Sequence, residues 1–221
     1  MIETSQLEAA RTIGREWRNF PEEVQQHYRA ILRQLGWPQS ENRPAPQAIG
    51  ITASSNGQGA TTVACQLAAT AAAMGSHRVL LVDAHVARPS VARQFNVAAI
   101  TGFADLESHD KAVGIAAVAC DVARLSILPA GNGGSSAEQV YDSLALSGFV
   151  DKAKGEFDLV VFDLPPVGAA FAPLRLAELM DGVLLVVEAD RGSWEDARRV
   201  RDFFAHSKVR LVGTVLNGYR G

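Results

Sequence analysis

Residues 48–62 read AIGITASSNGQGATT, and an alanine-rich helical stretch runs from Thr61 to Met74. A short apolar run, a glycine-punctuated loop and a helix, in that order, make a strand–loop–helix unit. In such a unit the loop N–H groups and the helix N-terminus converge where an anion is favoured. Gly57 and Gly59 permit positive φ and close backbone approach. The phosphate-loop template is G/A/S-x-x-x-x-G-K-[ST]. On it Ser54 opens the loop, Gln58 precedes the second glycine at Gly59, and Thr61 supplies the metal-facing hydroxyl, with Thr62 after it. Ala60 stands at the lysine position and offers the phosphates neither charge nor donor. The alternative is a glycine turn that serves only strand-to-helix packing.

Outward from this loop the chain alternates. AIGIT, RVLLVD, RLSILPA, FDLVVFDLP, GVLLVVEA and VRLVGTVLN are short β-branched runs, several of them apolar on both faces. Such runs fit strands covered on two sides, as in parallel sheets. Between them lie helical candidates at Thr61 to Met74, Ser136 to Lys154, Phe171 to Leu179 and Ser193 to His206. The alternation predicts an α/β fold, doubly wound, with a mainly parallel sheet and helices on both faces. In such sheets ligands sit at the carboxyl ends of the strands.

The first 45 residues differ from the rest. FPEEVQQHYRAILRQL places Val24, Tyr28, Ile31, Leu32 and Leu35 at helical spacing, with Pro21, Glu22 and Glu23 suited to a helix start. GWPQSENRPAPQ then breaks the pattern and reads as a linker. Residues 1–45 are therefore expected to form an N-terminal helical segment and linker, and 46–221 the phosphate-loop domain. The helix has an apolar stripe that must dock on its own domain or on a neighbour. Trp17 and Trp37 flank it and are expected to pack into the core.

Composition narrows the function classes. Apolar residues make up 48% of the 221, ample for a packed core, and a net charge of −3 gives no electrostatic reason to expect nucleic acid or an anionic membrane. Cys65 and Cys120 form neither a metal-ligand spacing nor a disulfide framework, which suits a reduced compartment. No apolar run approaches the roughly 18 residues that span a bilayer. A soluble, cytoplasmic protein without direct membrane insertion is expected.

Two further strand ends bear acids. VLLVDAHVARPS, residues 79–90, ends a strand at Asp83, and FDLVVFDLPPV, residues 157–167, ends one at Asp163. Carboxylates at strand ends can hold Mg²⁺ and accept a proton from a hydroxyl nucleophile. For Asp163 the alternative role is capping the next turn.

With these segments the chain resembles the bacterial tyrosine kinases of polysaccharide export (BY-kinases), within the ParA/MinD-type P-loop ATPases. Asp83 matches the first acid of the family's D-x-D-x-R segment, and Arg88-Pro89-Ser90 its R-P-S tail. His85 replaces the second acid, and Ala87 the first arginine. Asp163 with Pro165 and Pro166 matches the Walker B segment. TGFADL, ILPAG, DGVLLVV and LVGTVLN resemble further family segments, and Asn217 falls where the family places an adenine-contacting asparagine. The alternative for Asn217 is a turn-forming residue beside Gly218.

The resemblance implies Asp83 and Asp163 as remnant catalytic acids. It implies Thr61, Asp83 and Asp163 as Mg²⁺ ligands, and a degenerate nucleotide loop of Gly57, Gln58, Gly59, Ala60, Thr61 and Thr62 with Asn217. Mg–ATP or Mg–ADP would be bound weakly, with Arg88 the candidate substitute clamp. The family's E-x-x-R-x-x-R oligomer helix is matched by Gln26 and Arg29, with Leu32 at the third position and Arg33 one place late. Its C-terminal tyrosine cluster is reduced to Tyr219.

Three functions are compatible with this pattern. The first is a pseudokinase-like component of capsule or exopolysaccharide export. It would be recruited to the inner membrane face by a membrane polysaccharide co-polymerase or an active paralogous kinase, with homo-oligomerisation open. The second is an active tyrosine autokinase or ATPase whose clamp comes from elsewhere. The third is a degenerate ParA/MinD-like localisation factor. Arg88-Pro89-Ser90 and Pro165-Pro166 favour the first two.

Overall fold

The computed structural model describes residues 21–38, 45–108, 117–132, 136–167, 173–189 and 193–218. Trp17 and Tyr219 lie outside the described residues. The chain enters through α1 (Glu22–Gln34), which starts at Pro21 with Glu22 and Glu23 in its first turn. β1 (Ala48–Ala53) follows, then α2 (Ala60–Ala73) and β2 (Val79–Asp83). A short α3 (Val91–Phe95) and a 3₁₀ turn (Phe103–Ser108) lead to β3 (Val118–Ala119) and β4 (Leu125–Leu128). Then come α4 (Ala137–Asp142), α5 (Ala145–Glu156), β5 (Leu159–Asp163), α6 (Pro173–Glu178), β6 (Gly182–Glu188), α7 (Trp194–Ala205) and β7 (Leu211–Asn217).

The strands form a sheet in the order β3-β4-β2-β5-β1-β6-β7, parallel except for the β3–β4 pair. The connection from β1 to β2 runs one way across the sheet and that from β5 to β6 the other. The loop after β1 therefore opens at the crevice where strand order reverses. β1, β2 and β5 are buried along their whole length, because helices cover both faces.

Alternate side chains sort to the two faces. Ile49, Ile51, Val79, Leu81, Leu159 and Val161 join α1, α2 and α3 in one core. Leu80, Val82, Val160 and Phe162 join α4, α5, α6 and α7 in the other. α2 is buried from Val63 to Ala72, which its alanine-rich sequence permits by packing closely on the sheet.

α1 docks on its own domain. Tyr28, Leu32 and Trp37 are buried in the α2-side core, with Val24, Ile31 and Leu35 packed against it. Burial of Trp37 agrees with the core role expected of it.

The sequence suggested one helix from Ser136 to Lys154, and the structure divides it. Ser143 takes an extended conformation after Asp142, and its hydroxyl accepts from the Ala145 N–H to start α5. Serine competes with the helix for local hydrogen bonds, which makes it a natural break.

Candidate functional site

The loop between β1 and α2 is built on two left-handed glycines, Gly57 at φ 88° and Gly59 at φ 87°. Gly59 is the N-cap of α2, and Ala60, Thr61 and Thr62 form its half-exposed first turn. The positive φ is what favours glycine at Gly59, and a Cβ there would also displace the Asn217 carboxamide. Asn217, at the end of β7, donates from Nδ2 to the Gln58 carbonyl at 3.1 Å. Gln58 itself is buried, and its Oε1 accepts from Ser54 N, Ser54 Oγ and Ser55 N at 3.1, 3.0 and 3.4 Å. The sequence placed both residues at the loop, and their mutual contact was not legible in it.

Asp83 and Asp163 are paired in register on neighbouring strands. By the two-residue period both face α2, like Leu81 and Val161 before them. Both are fully buried. Asp83 is engaged by backbone: Oδ2 accepts from Ser90 N at 2.9 Å and Val91 N at 3.0 Å, and Oδ1 from His85 N at 3.3 Å. It closes the turn that leads into α3. Asp163 has no ordinary hydrogen-bond partner for either oxygen among the described residues, so it does not cap the turn after β5.

The electrostatics follow from this difference. Burial, then the charge of Asp83, pushes the Asp163 carboxyl well above the usual carboxylate range, and the nearby Thr61 hydroxyl favours its charged form. Burial also raises Asp83, opposed by its three N–H donors. Two residues the sequence left unassigned border the pair. Cys65, one turn beyond Thr61 on α2, is buried with its thiol pushed up by burial and by both acids. The Tyr141 hydroxyl donates to the Ala84 carbonyl, and burial and the same two acids raise it. Cys65 could have been found from the i+4 spacing to Thr61; Tyr141 had no local signal.

His85 is half-buried, and burial followed by the Arg88 charge lowers its pKa. A neutral imidazole is a poor ligand for a hard cation. Ala87 and Arg88 are exposed, and among the described residues no hydrogen bond or ion pair ties the Arg88 guanidinium to the loop. On α1, Gln26 and Arg33 are exposed, and Arg29 pairs with Glu22 at 3.0 Å. Leu32, at the position of the family's second arginine, is fully buried instead. α1 thus spends on its own core a position that the family pattern gives to charge.

A strand-end loop, a helix N-terminus and an unpartnered acid beneath them form a phosphate-loop frame. The family model described as ParA, NUBPL iron-transfer P-loop NTPase, matches residues 45–219. The chain belongs to the ParA family of P-loop NTPases. Proteins named as bacterial tyrosine-protein kinases are among its relatives, as the motif resemblance implied. The tyrosine-protein kinase YwqD of Bacillus subtilis is 27% identical over 172 residues, 78% of this chain and 72% of YwqD. The succinoglycan biosynthesis transport protein ExoP of Rhizobium meliloti is 30% identical over 176 residues, 76% of this chain and 22% of ExoP. Among solved structures, the kinase domain of the Escherichia coli tyrosine kinase ETK superposes with a TM-score of 0.79 at 20% identity, covering 88% of this chain and 75% of that one. At that identity the likeness establishes a shared fold. Ala60 stands at the template's lysine position in this loop.

Proposed function

We propose that this chain is a BY-kinase-like component of an exopolysaccharide or capsule export system that acts through protein contacts and has lost efficient phosphotransfer. The observation that carries this reading is a phosphate loop to which no cation is tied among the described residues. Ala60 stands at the lysine position, and among the described residues no arginine or lysine is hydrogen-bonded or ion-paired to the loop or to Asp163. Losing one preorganised donor at a site of developing charge costs about 10²–10³ in rate.

The remaining donors fit a magnesium nucleotide in part. An unpartnered buried carboxylate beside a hydroxyl is the donor chemistry a hard cation takes, so Thr61 and Asp163 would hold Mg²⁺. Asp83 is committed to three backbone N–H groups, which leaves one free acid in place of a pair. N–H groups in the first turn of α2 would face the phosphates, and Asn217 would lie beside the base. The bound nucleotide would supply the transferable phosphoryl group. Weak binding and slow or absent transfer follow from this set.

The pathway is supported by the relatives, one of them a transport protein of succinoglycan biosynthesis. On this reading the partner is a membrane polysaccharide co-polymerase or an active paralogous kinase, and the chain works at the inner face of the membrane. The outer surface of α1, with Gln26, Arg29 and Arg33, is the surface offered to a neighbour. Residues 46–221 would then be the conserved-fold unit and α1 its docked N-terminal extension.

The test is a thermal melt with millimolar Mg²⁺–ADP or Mg²⁺–ATP, run on the native protein and on Ala60→Lys. A small or absent shift in the native protein and a clear shift in the variant are expected, because ligand binding stabilises the native state by mass action. Autophosphorylation of the native protein that Asp163→Ala abolishes would replace this reading with that of an active kinase.

A further inference from the structure

The phosphate loop is tied together by two carboxamides. Gln58 turns its side chain inward, where one amide oxygen gathers the Ser54 and Ser55 N–H groups and the Ser54 hydroxyl. The backbone carbonyl of the same residue is taken by Asn217, 159 positions away in the sequence. Asn217 is itself anchored: it pairs with Glu188 in the β6–β7 register, and its carbonyl accepts from Ala189 N at 2.7 Å. Gly59 leaves the space through which the Asn217 amide reaches the loop.

We propose that Gln58 and Asn217 form a latch that fixes the phosphate loop in one shape through the protein's own amides, independently of nucleotide. For its ligand this rests on the nucleotide reading above; the latch itself does not. The physical reason is donor satisfaction. Convergent loop N–H groups are costly to leave unpaired, and an anion is the usual acceptor for them. A neutral carboxamide satisfies the first of these groups without bringing charge, so no lysine is needed to balance it. Asn217 then ties the loop to β7, the last strand of the sheet, which pairs with β6. The functional consequence is a surface that presents one conformation to a partner, where a nucleotide-ordered loop would present two. A base that used the Asn217 amide would first have to break its bond to Gln58.

Amide hydrogen exchange, read residue by residue on the full chain, tests the latch. In buffer without nucleotide, the Ser54 and Ser55 amides of the native protein should be protected. Gln58→Ala should speed their exchange by about tenfold or more, the scale of one lost hydrogen bond. Gln58→Glu, which keeps the acceptor, should retain the protection. Asn217→Asp, which removes the donor at constant shape, should speed exchange across residues 54–62 and leave β2 and β5 amides unchanged. Those strand amides report in the same experiment that each variant is folded.

Ala60→Lys with and without Mg²⁺–ADP supplies the other arm. Protection of the Ser54 and Ser55 amides, which Gln58 holds, should be the same in both conditions, and should become nucleotide-dependent once Asn217→Asp is added. Fast exchange at Ser54 and Ser55 in the native protein, or protection unchanged in Gln58→Ala, would overturn the latch. If no variant responds to Mg²⁺–ADP in a melt, the nucleotide reading fails, and the nucleotide-free exchange rates still decide the latch.

Discussion

Asp83 and Asp163 are register partners on adjacent parallel strands; Asp83 is held by three backbone N–H groups, and among the described residues Asp163 has only the Thr61 hydroxyl nearby to favour its charge. The same residue type at the same depth therefore does two different things. Asp83 holds the turn into α3, and Asp163 is a buried acid whose ionisation nothing in the described structure compensates fully. The two should respond to substitution with opposite signs.

Asp163→Asn should stabilise the protein at neutral pH. The folded pKa of Asp163 is raised above the unfolded value of about 3.9. The folded state therefore binds the extra proton between the two values, and stability falls as pH rises through that window. Replacing the acid by an amide removes the cost of a buried charge. A rise in Tm of a few degrees at pH 7–8 is expected, since about 1 kcal/mol moves Tm by about 2–4 °C in a domain of this size. The gain should shrink as pH is lowered toward 4. An unchanged or lower Tm at pH 8 would show that Asp163 is compensated in solution.

Asp83→Ala should destabilise. It orphans the Ser90, Val91 and His85 N–H groups, and Val91 is fully buried. Leaving a buried donor unpaired costs about 1–3 kcal/mol. Chemical denaturation should show a lower midpoint at unchanged slope. A midpoint within error of the native protein would mean that water or the turn itself satisfies these donors.

The sheet was legible because its strands announce themselves. LVVFD and VLLVD are apolar at every position before the acid, which only a strand covered on both faces requires. The phosphate loop was legible from Gly57 and Gly59, whose spacing encodes backbone shape directly. What could not be read were contacts that the sheet brings together from afar. Asn217 meets Gln58 across almost the whole domain, and Tyr141 reaches Ala84 from α4. The different states of the two acids were also hidden, because the donors to Asp83 come from a turn up to eight residues on. β3, two residues long and antiparallel, has too little sequence for any period to show.

Leu32 and Arg33 separate docking from display on α1. Leu32 is fully buried against the α2-side core, and Arg33 is exposed. Leu32→Ala should cost about 2–5 kcal/mol, the range for a large-to-small change in a packed core. Arg33→Ala should stay within about 0.5 kcal/mol. If both were silent in denaturant unfolding, α1 would not be docked in solution as it is here.

Asp181 should shape the acid limb of the stability profile. Its Oδ2 accepts from the Gln47 and Ala48 N–H groups at 2.9 Å each, and its Oδ1 meets Lys154 Nζ at 2.6 Å, fixing the start of β1 to α5. Burial would raise its pKa, but the Lys154 ammonium and the two N–H donors prevail and hold it below the ordinary value. A depressed folded pKa gives stability that is present above the unfolded value of about 3.9 and lost as pH falls through the folded one. This is the reverse of Asp163, whose cost is relieved on acidification. Stability should therefore rise as pH drops from 8 toward about 4, then fall below it. In Asp181→Asn the lower limb should flatten while the upper limb is kept; in Asp163→Asn the upper limb should flatten while the lower is kept. A pH series of melts on both variants reads the two limbs separately, and a loss of the same limb in both would refute the assignment.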